Sequence, residues 1–131
     1  MTPLFLHVKG GNDGFPERLF DAIRIKGWLD CAYVFCSPSN DAMLARMKAV
    51  SVAVKTLVTV TDLMGLYMLL DLPDPLGGAD GAWLEQPEED WVTDGSIQVL
   101  HDAGKSAWSV SSELHRRKLD MGWLEDWRTA D

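Results

Sequence analysis

The residues best suited to chemistry stand where the last apolar run of the chain ends, with Glu113, His115 and Arg117 at alternate positions. If the extended backbone of the run Ser106–Ser111 continues through them, all three side chains share one face. That face would carry an acid, a base and a guanidinium that can clamp a phosphate. If the chain has already turned, the three side chains scatter, and an ordinary polar loop is the simpler interpretation.

A second candidate pair, His7 and Lys9, lies where the first apolar run ends. Because the two residues are two positions apart, an extended strand directs both to one face. The following Gly10 and Gly11 allow a ligand to approach the backbone closely. The lysine could neutralise a phosphate, and the histidine could transfer a proton or bind a metal. The plainer alternative is a solvated strand end.

A third candidate, Glu85, ends the fourth apolar run and shares a face with Trp83 by alternation. It could hold a cation or a substrate hydroxyl. The polar residues that end the second and third runs, Ser37–Asp41 and Thr59–Asp62, are predicted instead to turn the chain and cap helices.

Five apolar runs, rich in β-branched and aromatic residues, predict the strands that must position these candidates. They are Leu4–Lys9, Cys31–Ser37, Lys55–Thr61, Gly81–Gln86 and Ser106–Ser111. Helical spacing follows in Pro16–Gly27, Asn40–Val50, Leu63–Leu70, Gly95–Ala103 and Leu119–Trp127. Strict alternation of this kind predicts an α/β protein of five βα units with a mostly parallel sheet. No linker interrupts the pattern, so residues 1–131 are predicted to form a single domain.

The helical periodicity also predicts which side chains face the sheet. In the first helix the buried face would consist of Leu19, Phe20, Ile23 and Ile25. In the second helix it would consist of Met43, Leu44 and Met47, and Asp62 would cap the third helix.

Composition and charge narrow the class of partner. The net charge of −8 disfavours nucleic acid and anionic membrane surfaces, although a few local cations can still hold a small phosphorylated ligand. Cys31 and Cys36 are the only cysteines and are predicted to be buried thiols in a reducing compartment. The chain does not open with a leader-like run, and no apolar stretch is long enough to span a bilayer. We therefore expect a cytoplasmic protein.

Four segments, in order, resemble motifs of one family. They are Leu6–Gly10 (LHVKG), Phe35–Leu44 (FCSPSNDAML), Gly81–Glu85 (GAWLE) with Trp91 downstream, and Val110–Arg117 (VSSELHRR). Together they resemble the C-terminal part of the TIM barrels of glycerophosphodiester phosphodiesterases and phosphatidylinositol phospholipase C-like proteins, in a short bacterial branch. The last segment is the most specific of the four.

The resemblance implies metal-assisted phosphodiester cleavage, in which two histidines act as acid and base around a divalent cation such as Mg²⁺ or Ca²⁺. The family's HRG and ExD motifs, which lie mainly in its first strands, supply most of that site, and the first strands of this chain carry neither. His7 stands where catalytic members place a metal-binding glutamate, and Lys9 matches the family lysine. The chain departs from the family's motifs at four further positions. It has Cys36 and Glu85 where the family has Asp, Ser112 where the family has Pro, and Arg116 where the family has Gly.

The absence of the family's metal-binding motifs from the first strands favours a binding site over a complete active site. Lys9 and Arg117 would hold phosphate, with His7 as a further substrate contact. Glu85 or Glu113 would hold a cation or a hydroxyl, and His115 would be the acid/base. No residue is assigned as a metal ligand, and the cofactor would be Mg²⁺ or Ca²⁺ if the chain is catalytically competent.

The resemblance also implies a partial barrel, corresponding to roughly strands 4–8 of eight. Five βα units cannot close such a barrel, because strand number, tilt and shear are coupled. We expect completion by a second copy or by another chain, or else an open sheet covered by helices.

Three interpretations of function remain open. The first is a phosphodiesterase-related domain that binds a phosphorylated small molecule and is catalytically deficient alone. The second is a non-catalytic interaction and assembly module. The third is that the chain is a piece of a complete barrel.

Overall fold

Five parallel strands alternate with four helices over the part of the chain that the structure describes. The structure is a computed structural model, and it describes residues 3–9, 14–50, 53–86 and 90–109. In chain order the strands and helices are β1 (Leu4–His7), α1 (Phe15–Ile25), β2 (Ala32–Cys36), α2 (Asp41–Val50), β3 (Lys55–Val60), α3 (Leu63–Leu70), β4 (Gly81–Leu84), α4 (Asp94–Asp102) and β5 (Ser106–Ser109). Short 3₁₀ turns at Pro38–Asn40 and Pro75–Gly78 precede α2 and β4. The first four strands end one or two residues earlier than predicted, although the N–H groups of Val8 and Glu85 still donate to carbonyls of the neighbouring strands at 2.9 Å.

The strands form one sheet in which every strand lies beside its neighbours in sequence, in the order β1-β2-β3-β4-β5. All four pairings are parallel, and the register places Phe5 beside Tyr33, Thr59 beside Trp83, and Trp83 beside Trp108. Right-handed crossovers that always step in the same direction put their helices on the same face. The predicted α/β fold, resembling part of a TIM barrel, is confirmed.

The helix-covered face of the sheet forms the main core. Small and branched strand residues such as Val34, Val58 and Leu84 are almost wholly buried there, against Met47 of α2 and Leu66 of α3. The predicted inward face of α2 is therefore confirmed.

The prediction for α1 is correct except at one residue. Ile23 is 1% exposed, whereas Ile25 is 72% exposed. Two residues turn a helix by about 200°, so both cannot face the same core. Leu19 and Phe20 pack against the core edge as expected.

The opposite face of the sheet is concave and aromatic. The Phe5 ring of β1 lies 5.1 Å from the Trp108 ring of β5, centroid to centroid, and 4.9 Å from the Trp83 ring of β4. Tyr33 of β2 also contacts both Phe5 and Trp108. Side chains of the two edge strands thus meet across the concavity, as they would inside a barrel wall.

The amino edge of the sheet is held by the carboxylate of Asp80, just before β4. Its Oδ2 accepts hydrogen bonds from the Thr56 N–H at 2.8 Å and the Thr56 hydroxyl at 3.2 Å, and it lies 2.6 Å from Lys48 Nζ. Burial raises the pKa of Asp80, but the hydrogen bonds from Lys48 and Thr56 and the charge of Lys48 outweigh it. The net result is a pKa below the usual 3.8. This edge therefore contributes stability.

Close approach at the same edge requires a glycine. A Cβ at Gly81 would lie 2.5 Å from the carbonyl oxygen of Ser106 and closer still to its hydroxyl. A side chain at this position would separate β4 from β5.

Both cysteines, Cys31 and Cys36, are buried, as predicted. None of the described helices is long and apolar enough to cross a membrane.

Candidate functional site at the carboxyl edge

A continuous chain of contacts joins two of the predicted site residues, His7 and Glu85. The imidazole of His7 stacks on the Phe35 ring, with centroids 4.6 Å apart and planes within 8°. Phe35 in turn stacks on Trp83 at 4.5 Å, and Trp83 Nε1 donates a hydrogen bond to Glu85 Oε1 at 3.2 Å. We call these four residues the carboxyl-edge stack.

Strand alternation and register produce this arrangement. His7 lies beside Phe35 across the β1–β2 ladder, and both point to the concave face. Trp83 points to the same face from β4, and its bond to Glu85 confirms that these two residues share a side. Three strands thus contribute to a platform at their carboxyl ends, where parallel α/β sheets place their sites.

The backbone of Glu85 is fixed on both sides. Its N–H donates to the Val60 carbonyl at 2.9 Å, and its own carbonyl accepts from Trp91 Nε1 at 2.6 Å. The next residue, Gln86, is 1% exposed and accepts from the Val92 N–H at 3.0 Å. The carboxylate therefore projects from a braced position, which lowers the entropic cost of using it to bind a ligand.

Thr59 is a member of the edge that the sequence did not identify. Thr59, Thr61 and Asp62 were all interpretable as caps, but only Asp62 is shown in that role, accepting from the Gly65 N–H at 2.6 Å. Thr59 is in register with Trp83, and its buried hydroxyl has no hydrogen-bond partner among the residues that the structure describes. An unsatisfied buried hydroxyl costs about 1–3 kcal/mol, so a ligand or a further chain that bonds to it would be favoured.

The other predicted residues are placed only in part. Lys9 is exposed, two residues beyond the end of β1 and at the same edge as His7. Glu113, His115 and Arg117 lie outside the described residues, as does the predicted helix Leu119–Trp127.

The positions of the aromatic residues in the sequence already indicate that they share a face of the sheet, which the sequence analysis did not use. Phe5 and His7, like Tyr33 and Phe35, alternate along one strand and so face one side. What the alternation does not reveal is which rings meet, since the curvature of the sheet decides that.

The described residues do not fit a divalent metal ion of the kind that the family resemblance implies. Within residues 3–9, 14–50, 53–86 and 90–109, no three His, Cys, Asp or Glu side chains come together as a ligand set. Mg²⁺ and Ca²⁺ require several oxygen ligands, and Glu85 offers a single carboxylate that is already bonded to an indole N–H. No reaction step through a metal follows from this geometry.

Comparison with known proteins gives one informative likeness. No family model matches the sequence, and no curated protein matches it. Among solved structures, the chain resembles a protein from Galdieria sulphuraria described as a glycerophosphodiester phosphodiesterase, with a TM-score of 0.64 and 19% sequence identity. The match covers 96% of this chain and 48% of that one, so the chain spans about half the length of its structural neighbour. At this identity the likeness shows the fold: the chain has the architecture of part of a TIM-like barrel.

Proposed function

We propose that the chain is a phosphodiesterase-related domain that binds a phosphorylated small molecule at the carboxyl ends of its strands. The observation that carries this proposal is the contact chain from His7 to Glu85, which unites a proton donor, two aromatic faces and a carboxylate at the edge of one sheet. The fold likeness to a protein described as a phosphodiesterase supports the choice of ligand class.

Each residue has a distinct role in the proposal. Lys9 and Arg117 neutralise the phosphate, as point charge and bidentate clamp respectively. His7 donates a hydrogen bond to it, and Glu85 or Glu113 accepts one from a hydroxyl of the carbon skeleton. The exposed parts of the aromatic rings pack against that skeleton.

Catalysis by this chain alone is not part of the proposal. His115 is its candidate acid/base, and Mg²⁺ or Ca²⁺ would be the cation if the chain were active. The first strands of the chain carry neither the HRG nor the ExD motif that would supply the metal ligands. We therefore propose that binding occurs without efficient turnover.

Calorimetric titration with glycerol 3-phosphate, and with glycerol as the control ligand, tests the binding. We expect saturable binding of the phosphate only, weakened at least tenfold by Lys9→Ala. Lys55→Ala, which removes an exposed lysine from the opposite edge, is the matched control and should leave affinity unchanged. Equal loss in both variants would point to non-specific charge and contradict the site.

A parallel assay with bis(p-nitrophenyl) phosphate and Mg²⁺ or Ca²⁺ tests the catalytic part. We expect no turnover above background. Turnover that His115→Ala abolishes would contradict the proposed deficiency and establish an enzyme.

A second candidate function, an assembly module that completes its barrel with another chain or a second copy, has its own observation. Within the part of the chain that the structure describes, the indole N–H of Trp108 on edge strand β5 is buried without a hydrogen-bond partner. β1 and β5 are the edges of the described sheet, and unpaired edge strands readily accept further strands. Size-exclusion chromatography with light scattering should then show an oligomer. A monomer that does not bind an apolar dye would contradict strand completion.

We further propose a cytoplasmic location. The two buried cysteines suit a reducing compartment, and none of the described helices could span a membrane. Fractionation of cells that express the protein, followed by thiol alkylation and mass spectrometry, would test this.

A further inference from the structure

Helix α3 exposes a large apolar surface that the fold does not use. Met64 is 73% exposed, Met68 67% and Tyr67 51%, with Leu63 at 40% and Leu72 at 43%. We call these five residues the α3 patch. Surface helices normally turn a polar face to water, so an apolar outer face indicates an interaction site.

The patch is separate from the residues that hold α3 in the fold. Leu66 is wholly buried, and Leu69 and Leu70 pack on the edge of the core. Leu63 and Tyr67, like Met64 and Met68, lie one helical turn apart on the other side of the helix, and Leu72 lies just beyond its end. Nothing in the packing of α3 therefore requires them to be apolar.

The α3 patch borders an open groove of about 690 Å³. Four residues of the α3 patch line this groove together with Asp71. Among the described residues, Asp71 is the only charged one in the lining. Methionine and leucine side chains adapt to different apolar shapes, and grooves lined by them commonly receive the apolar face of an amphipathic helix.

Charge decides which occupant fits. Asp62 lies at one end of α3, Asp71 at the other, and Asp74 just beyond, all exposed. The carbonyl end of the helix adds partial negative charge beside Asp71. A second copy would bring acidic ends against each other, and an anionic bilayer would be repelled by them. A helix with an apolar stripe and flanking lysines or arginines meets both the patch and its acidic ends.

We propose that the α3 patch docks a basic amphipathic helix of a partner protein. The surface lies on the outer helical layer, away from the concave face of the sheet. Binding there is therefore independent of ligand binding at the carboxyl-edge stack.

A fluorescein-labelled helical peptide of leucine and lysine, 14 residues long with apolar positions every three to four residues, is the probe. Anisotropy at about 0.15 M salt should show saturable binding to the full chain. The double variant Met64→Glu/Met68→Glu should weaken binding of the peptide at least tenfold. The two glutamates add negative charge, which would tighten the binding of a basic peptide if the association were purely electrostatic. Ile25→Glu on α1, equally exposed at 72%, is the matched control and should not weaken it. Tyr67→Ser/Met68→Ser should also weaken it, without any change of charge.

Four results would overturn the proposal. The first is equal binding by the double glutamate variant, and the second is equal binding of a leucine and glutamate peptide. The third is self-association of the wild type that the double variant abolishes, which would assign the patch to a second copy. The fourth is patch-dependent binding to phosphatidylcholine vesicles with no binding of the peptide, which would assign it to a lipid surface.

Discussion

Replacement of Asp80 by alanine should destabilise the protein through the groups that it leaves behind. Thr56 is wholly buried and would lose the acceptor of its N–H, an unsatisfied donor that costs about 1–3 kcal/mol. Loss of the longer hydrogen bond from the Thr56 hydroxyl to the Asp80 carboxylate, at 3.2 Å, adds less to the cost in unfolding free energy. The hydroxyl oxygen still accepts a hydrogen bond from the backbone N–H of residue 80. The side chain of Lys48 is 24% exposed, so its lost ion pair contributes only about 0.5–1 kcal/mol. We expect a total of about 3 kcal/mol.

Urea unfolding followed by circular dichroism measures this change, with Asp21→Ala as the control. Asp21 forms only an exposed ion pair with Arg24, at 3.6 Å within α1, so its loss should cost under about 0.5 kcal/mol. A cost for Asp80→Ala as small as that of the control would refute the account of the amino edge.

The same carboxylate predicts a pH dependence. Because the pKa of Asp80 is lower in the folded than in the unfolded chain, its ionisation contributes stability that is fully present above about pH 4. That contribution is lost as the pH falls through the folded pKa. Asp80→Asn keeps an oxygen acceptor but not the charge, so its deficit in unfolding free energy should shrink below pH 4. A deficit that grows on acidification would refute the assigned sign.

Further predictions concern single contacts. Gly81→Ala should cost about 1–3 kcal/mol because its Cβ cannot fit against β5. Gly95→Ala in α4, whose Cβ would make only an ordinary van der Waals contact at 3.6 Å with Thr93 Oγ1, should be neutral or slightly stabilising; thermal unfolding compares the two variants. Trp83→Phe removes the indole N–H that orients Glu85 and should weaken binding of glycerol 3-phosphate about threefold to tenfold in calorimetry, with little change in melting temperature. Asp62→Ala removes the N-cap of α3 and should lower the free energy of unfolding by about 1 kcal/mol, measured in urea; no loss would mean that the cap contributes nothing.

The elements were readable from the sequence because their signals are local. The third helix has the predicted bounds, Leu63–Leu70, since an aspartate cap precedes it and an apolar run fills it. The two-residue alternation likewise placed Trp83 and Glu85 on one side. Ile25 was misassigned because an apolar side chain at the end of a helix looks the same in sequence whether it is covered or bare.

The candidate site was less predictable because it depends on the curvature of the sheet. The contact between Phe5 and Trp108 joins residues from opposite ends of the described chain, and no local pattern encodes it. The same applies to the stack of His7 on Phe35 and Trp83. Alternation fixes the face of each ring, whereas strand order and curvature fix its neighbour.

A ¹⁵N-resolved NMR titration with glycerol 3-phosphate tests whether a phosphorylated small molecule binds at the carboxyl edge. We expect saturable chemical-shift changes concentrated at His7, Thr59 and Glu85, with the amino edge around Asp80 and the α3 patch unchanged. Shifts centred on the amino edge, or no saturable shift at millimolar ligand, would contradict it.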